Sequence, residues 1–256
     1  MIVCFLPFAV LGPGFTLLFW RSGWPLIVIL VLALVFLNVF FLARRRLYRL
    51  LEREDWPALA DYLESVVIRR GRYSPHLVRL LANTYLVMSD SAAVINLETR
   101  AAAARPALLE TNALVFGAAR ILGGDTAGAV KFFAARLEKA KGKNREWIRW
   151  YYGFSRLLNR QFEEAAEEFR ALAVSSSDAL VTGLSSYFLD GTLRKNTGSG
   201  EDCRRIAGEG ADRVRRIIKD GGEWKKEAAK IETEVHAVLL RRYIGEAESW
   251  LFGGKG

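Results

Sequence analysis

The chain has 256 residues, 51% of them hydrophobic, and a formal charge of +9 from 37 basic and 28 acidic side chains. The average conceals a division: residues 1–43 carry a single charge, Arg21, and residues 44–256 hold 36 basic and 28 acidic groups. Two cysteines, Cys4 and Cys203, exclude a disulfide-stapled secreted scaffold, and the abundance of Leu, Ala and aromatics beyond residue 43 excludes a disordered polyelectrolyte.

In chain order, residues 1–43 come first as a membrane anchor. Met1–Trp20 is uncharged, and Leu26–Ala43 is a second apolar run of 18 residues. A helix crossing the hydrocarbon core takes about 17–25 residues, so each run is long enough. The link Arg21-Ser-Gly-Trp-Pro25 is too short for anything but an antiparallel hairpin, with Trp20 and Trp24 at the interface beside Arg21. Pro7 and Gly12-Pro13-Gly14 interrupt the first run, leaving a re-entrant or interfacial segment as the competitor to a full span. No basic residue precedes the apolar run and no small-residue cleavage site follows it, which argues against a cleaved leader. Arg44, Arg45, Arg46, Arg49 and Arg53 outweigh Arg21, so the positive-inside rule puts the rest of the chain in the cytoplasm of a bacterial inner membrane. Those arginines also attract anionic lipid headgroups.

Residues 44–74 form a basic juxtamembrane segment and a partial helical unit, in which Asp55 precedes a helix with Pro57 near its start. From Leu47 onward the apolar spacing is helical, as in Leu59, Leu63, Val66 and Val67. An internal period follows. Gly117 and Gly153, Ala129 and Ala165, and Phe133 and Phe169 are each 36 residues apart, and 117–137 aligns on 153–173 without a gap. Small Gly and Ala positions let two helices approach, and the Phe fills the space to the next helix. One such unit cannot bury its apolar face alone, so units stack.

These residues resemble the tetratricopeptide repeat (TPR) family of helical hairpins. Units fall near 75–108 (Leu81, Ala82, Tyr85, Pro106), 110–143 (Phe116, Gly117, Gly124, Ala129, Phe133) and 146–179 (Gly153, Phe162, Ala165, Phe169). The early Trp of the family is absent from its place, Val94 replaces the second-helix Ala of the first unit, and spacings of 35 and 36 replace 34. The resemblance implies an all-α fold: a TPR-like solenoid over 75–195, degenerate after Ala173, closed by capping helices in 201–252. Asp178–Leu193 reads as a helix and 195–200 as a loop. Glu201–Lys219 and Glu223–Leu251 read as two further helices, and 253–256 as a frayed tail.

The inventory for chemistry is thin. His76 and His236 are the two histidines, Cys203 stands alone outside the apolar segment, and no metalloprotease, hydrolase or phosphate-loop motif occurs. The carboxylates Glu163, Glu164, Glu167 and Glu168 read as a solvated face. Basic residues are dense near the end, at Arg204, Arg205, Arg213, Arg215, Arg216, Lys219, Lys225 and Lys226, but acids interleave them, which argues against nucleic acid. The expectation is a membrane-anchored scaffold or assembly factor without catalysis, cofactor or metal. Its protein or peptide partner would bind a groove lined by Tyr85, Asn112, Arg149, Tyr152 and Arg156, the positions the resemblance implies, although Tyr85 and Tyr152 also suit inter-helix contact. Two alternatives are an extracytoplasmic component of a bacterial envelope machine, such as a flagellar or secretion assembly, and a membrane-bound enzyme or regulator with an unrecognised site.

Overall fold

A computed structural model describes residues 25, 28–38, 45, 47–232 and 236–253. The described residues are helical with short connections, and no strand occurs among them; the chain is all-α. Its contacts divide into two units, Met1–Asp55 and Trp56–Gly256.

In the first unit, residues 28–38 form a helix whose side chains face outward, with Leu32 62% and Phe36 71% exposed. Asn38 donates its amide to Leu34 O at 3.0 Å, one turn back in its own helix. Arg45 is helical and exposed, and residues 47–52 form another helical stretch. The expected first span, Trp20, Arg21, Trp24, Arg44 and Arg46 lie outside the described residues, as do the edges of the second span. No helix among the described residues is long and apolar enough to cross a membrane.

The second unit begins with α1 (Trp56–Glu64), extended by a π-helical turn, Ser65–Arg69. Helical hairpins follow: α2 (Pro75–Val87) with α3 (Ser91–Ala104), α5 (Ala113–Leu122) with α6 (Thr126–Leu137), and α7 (Gly142–Leu158) with α8 (Phe162–Ser175). A short extra helix, α4 (Ala107–Thr111), starts after Pro106 and separates the first two hairpins. Then α9 (Ala179–Phe188) runs through a second π-helical turn, Leu189–Leu193, before α10 (Gly200–Ile217). The chain ends with α11 (Gly221–Glu232) and α12 (His236–Phe252).

The period is written into the turns. Glu54, Ser89, Gly124 and Arg160 have φ of 52°, 61°, 79° and 60°, at spacings of 35, 35 and 36 residues. Each is the left-handed residue that ends a helix. The next amide in each case reaches back five residues: Asp55 to Leu50 O, Asp90 to Tyr85 O, Asp125 to Arg120 O and Gln161 to Arg156 O, at 2.8–3.2 Å. That bond satisfies a carbonyl that the helix end would leave orphaned. Asp90 and Asp125 then cap the following helices by accepting from Ala93 N and Gly128 N.

The aligned glycines do what their size requires. The Phe133 ring rests on Gly117, where a β-carbon would come within 2.0 Å of it. At Gly153 the nearest Phe169 atom would stand at 3.4 Å, an ordinary contact, and Glu168 Cβ at 3.1 Å. The same repeat position is therefore tight in one hairpin and looser in the next. Gly117→Ala is expected to destabilise by about 2–3 kcal/mol through overpacking, and Gly153→Ala by under about 1 kcal/mol once helix propensity offsets the small clash. Urea unfolding of both variants checks this, and equal losses would refute it.

Residues 223–251, expected as one helix, are α11 and α12 folded back on each other. Buried Trp224 donates its indole N–H to Ile244 O at 3.1 Å, and Lys225 pairs with Glu248 at 3.2 Å. A continuous helix of that length would run about 43 Å, roughly twice the hairpins it must cover. The tail expected at 253–256 retains Gly253 N bonded to Ser249 O, and 254–256 lie outside the described residues.

Candidate functional site

The first helices α2, α5, α7 and α9 line one face, and most of that face is already occupied. α12 returns to pack on α5 and α9. Its Tyr243 ring lies 5.5 Å from Phe154 of α7 and 5.0 Å from Phe188 of α9. Tyr187 donates to Glu246 at 2.7 Å, and Trp250 donates to Asp190 at 3.0 Å. Burial, then the Glu246 hydrogen bond, push the Tyr187 hydroxyl up to about 12. The helix expected to cap only the last repeat thus covers the first helices of three hairpins.

The five expected groove residues do not form one site: Arg149, Tyr152 and Arg156 share α7, Tyr85 lies on α2, and Asn112 lies between α4 and α5. Tyr85 is 6% exposed and donates to Glu64 Oε1 at 2.7 Å, which turns it toward α1; burial and that carboxylate raise its pKa. Arg149 pairs with Glu168 of α8 at 2.6 Å. Arg156 stacks on Tyr152, its guanidinium 4.4 Å from the ring centre, and bonds the Tyr152 hydroxyl. Tyr152 is 9% exposed. Tyr85 and Arg149 are thus bonded to neighbouring helices, and Arg156 and Tyr152 to each other along α7.

Asn112 differs. It is 2% exposed, and its amide nitrogen donates to Leu108 O at 3.0 Å and Thr111 Oγ1 at 3.3 Å. Its Oδ1 is buried without a hydrogen-bond partner. An orphaned buried acceptor costs free energy, on the order of 1–3 kcal/mol. Asn112 lines a cavity of about 100 Å³ with Arg79 and Asn83 of α2, Thr111, and Asn144 of α7. Arg79 donates to Thr111 O at 3.1 Å. Sequence reasoning missed Arg79, Asn83 and Asn144. The available signal was Arg79 and Asn83 four residues apart, two polar groups on one face of a mainly apolar helix.

The floor under α7 is set by Glu146, whose carboxylate accepts from Ser176 Oγ (2.8 Å), Ser177 N (3.1 Å), Ser177 Oγ (3.0 Å) and Asp178 N (3.2 Å). Burial alone would raise the Glu146 pKa, but these four donors outweigh it and hold the carboxyl below its ordinary value. Asp178 in turn caps α9 at Leu180 N and Val181 N. Glu146→Gln is expected to cost about 1.5–3 kcal/mol at neutral pH. Because the folded pKa is the lower one, the stabilisation is complete above the unfolded value, about 4.3, and fades as pH falls through the folded one. The gap between the two proteins should therefore be flat above pH ~5 and close below it in denaturant titrations; a constant gap would refute the role.

Elsewhere, Cys203 is fully buried beside Arg170 and Thr197, each 3.7 Å from its sulfur, and His76 is exposed. Among the described residues no group of three His, Cys, Asp or Glu is placed to hold a metal ion.

No solved structure matches the chain significantly. A protein of Treponema pallidum (strain Nichols), described as an uncharacterized protein, is 27% identical over 233 residues, covering 88% of this chain and 74% of the relative. The profile of one family matches residues 93–253, from α3 through α12, and the chain accordingly belongs to that family, described as "Uncharacterised Treponema protein".

Proposed function

We propose that the chain is a membrane-anchored, non-catalytic scaffold of TPR-like hairpins that binds a protein partner at the open end of its first-helix face. The cavity beside Asn112 carries this reading. With α12 lying over α5, α7 and α9, the α2 end of the face remains accessible, and there an unpaired buried acceptor meets Arg79 and the carboxamides of Asn83 and Asn144. A segment of extended peptide supplies both a main-chain N–H for Asn112 Oδ1 and carbonyl oxygens for the Asn83 and Asn144 amides. The resemblance to TPR units is supported by the four equivalent turns at 35- and 36-residue intervals. The anchor is supported by the outward apolar side chains of residues 28–38 and the arginines that follow. The arginine balance supports a cytoplasmic side of the inner membrane for the hairpins.

The test is a photo-crosslinker in place of Asn83 in intact membranes. One reproducible crosslinked protein is expected, lost in Arg79→Ala and Asn112→Ala backgrounds that remain folded. Absence of any crosslink, or a crosslink indifferent to both substitutions, would overturn the reading. A topology reporter fused after Gly256 tests the side: activity outside the cytoplasm would overturn the orientation and favour an envelope-machine component.

A further inference from the structure

Antiparallel hairpins stacked in sequence have two edges. One holds the tight turns within hairpins, at 88–90, 123–125 and 159–161. The other holds the connections between them, at 70–74, 105–106 and 138–141. Contacts tie the second edge together: Arg79 Nη2 reaches Thr111 O, and Glu146 holds the Ser176–Asp178 loop.

The two edges differ in charge. The between-hairpin connections carry Arg70, Arg72, Arg105, Lys139 and Lys141 against two acids, Glu138 and Asp178, the second of which caps α9, and Lys143 and Arg145 extend them into the first turn of α7. The turn edge carries Asp90 and Asp125 against Arg160, with Glu163 and Glu164 directly after it, and the α9–α10 turn adds Lys195 beside an Arg194 paired with Asp190. All five connection bases are exposed, and none pairs with an acid among the described residues. The contrast is with the denser basic stretch near the chain end, where Arg205, Arg215, Lys225, Lys230 and Arg242 are each paired with a neighbouring carboxylate. The connection bases therefore gather unpaired positive charge along one edge, whereas near the chain end the exposed Arg204, Arg216, Lys219 and Lys226, unpaired among the described residues, alternate with paired ones.

We infer that this edge docks on an anionic bilayer surface, with lipid headgroup phosphates as its ligands. The inference rests on the membrane reading of residues 1–43 proposed above, which keeps a bilayer within reach of the array. Hairpins stack about 10 Å apart, so the three connections span several headgroups. Attraction to an anionic leaflet decays within about one Debye length, about 10 Å at moderate salt, so only the edge that touches the surface contributes. The acidic turn edge would be repelled, which fixes which way the array lies.

The test uses the full chain in vesicles of phosphatidylcholine alone or with phosphatidylglycerol, carrying a fluorophore at Lys141→Cys or, on the opposite edge, at Asp125→Cys, in a Cys4→Ser background. Headgroup-attached quenchers should reduce emission at position 141 at least about threefold more than at 125. That difference should require phosphatidylglycerol, vanish at high salt, and disappear in Arg70→Gln/Arg72→Gln/Arg105→Gln/Lys139→Gln. All four positions are exposed loop residues, and circular dichroism checks that the variant is folded. Flotation with phosphatidylcholine reports the anchor separately. If the chain floats but quenching is equal at both edges, or indifferent to phosphatidylglycerol, the edge inference falls and the anchor stands. If the chain floats only with phosphatidylglycerol and loses this in the quadruple variant, the anchor falls and the edge stands. Flotation with neither overturns both, and salt-sensitive binding to nucleic acid or an acidic protein without lipid dependence overturns the edge inference in favour of that ligand.

Discussion

Trp150→Ala is expected to lower stability by about 3–5 kcal/mol, the usual range for emptying a large aromatic site. Trp150 is fully buried on α7 and packs in an aromatic cluster drawn from several helices. Its ring lies 5.1 Å from Phe154, 5.3 Å from Tyr151, 5.8 Å from Phe169 of α8 and 5.9 Å from Phe188 of α9. Phe154 and Phe188 are the rings on which Tyr243 of α12 sits, so the cavity would open directly beneath the covering helix. Amide exchange in α12 should therefore accelerate beyond what the global loss explains. Trp150→Phe separates volume from polarity. The Trp150 indole N–H is buried with no acceptor, and removing an orphaned donor returns part of what the lost volume costs. The net cost of Trp150→Phe is expected below about 1.5 kcal/mol. Urea midpoints at unchanged slope give both values; a loss under about 1 kcal/mol for Trp150→Ala would mean the cluster is not the keystone of the fold.

How far the fold could be read from residues follows from which signals are local. The 36-residue recurrence of Gly117 with Gly153 and Phe133 with Phe169 is legible because a glycine that admits a ring leaves its spacing in the chain. The turn at Gly124 is legible for a similar reason. The turns at Ser89 and Arg160 are not, since neither residue advertises the left-handed conformation that both adopt. The fold-back between α11 and α12 left no mark either: apolar residues at intervals of three and four look the same whether a helix continues or doubles back. The short α4 and the two π-helical turns alter register by a residue or so and hide within the same periodicity.

The candidate site was less legible still. Position within a repeat identifies which residues sit on first helices, but not which of them find partners. Arg149 meets Glu168 from the next helix, and Arg156 meets Tyr152 one turn earlier, so both are consumed internally. Asn112, with its unsatisfied acceptor, is the residue at which α4 ends, and periodicity does not mark α4. The occupation of the first-helix face by α12 is a contact across more than 80 residues, between Phe154 and Tyr243, which no local pattern encodes.

The same competition between internal and external partners predicts the second large effect, at Glu98. Its carboxylate on α3 lies between Arg120 of α5 and Arg136 of α6, with Arg120 in direct contact and Arg136 at 3.9 Å. Both guanidinium carbons lie over the Phe132 ring, at 4.4 and 3.9 Å, and the three charged side chains are only 12–16% exposed. Arg120 and Arg136 also donate to the carbonyls of Phe116 and Phe132 in their own helices, at 3.2 and 3.5 Å. One anion therefore serves two sheltered cations, and the cluster already carries an excess positive charge. Removing the anion leaves two like charges facing one another out of water, the situation in which breaking a buried pair costs about 3–5 kcal/mol. Glu98→Ala should fall in that range. Glu98→Gln keeps the shape and an acceptor oxygen but not the charge, and should cost less, about 2 kcal/mol. Truncating one cation as well should return part of the loss: Arg120→Met in the Glu98→Ala background is expected to be more stable than Glu98→Ala alone, because the remaining guanidinium no longer faces a like charge and the methionine still covers Phe132. A double-mutant cycle by urea unfolding measures the coupling. If Arg120→Met deepens the loss in both backgrounds equally, the charges act independently, and the cluster holds α3, α5 and α6 together through ring stacking alone.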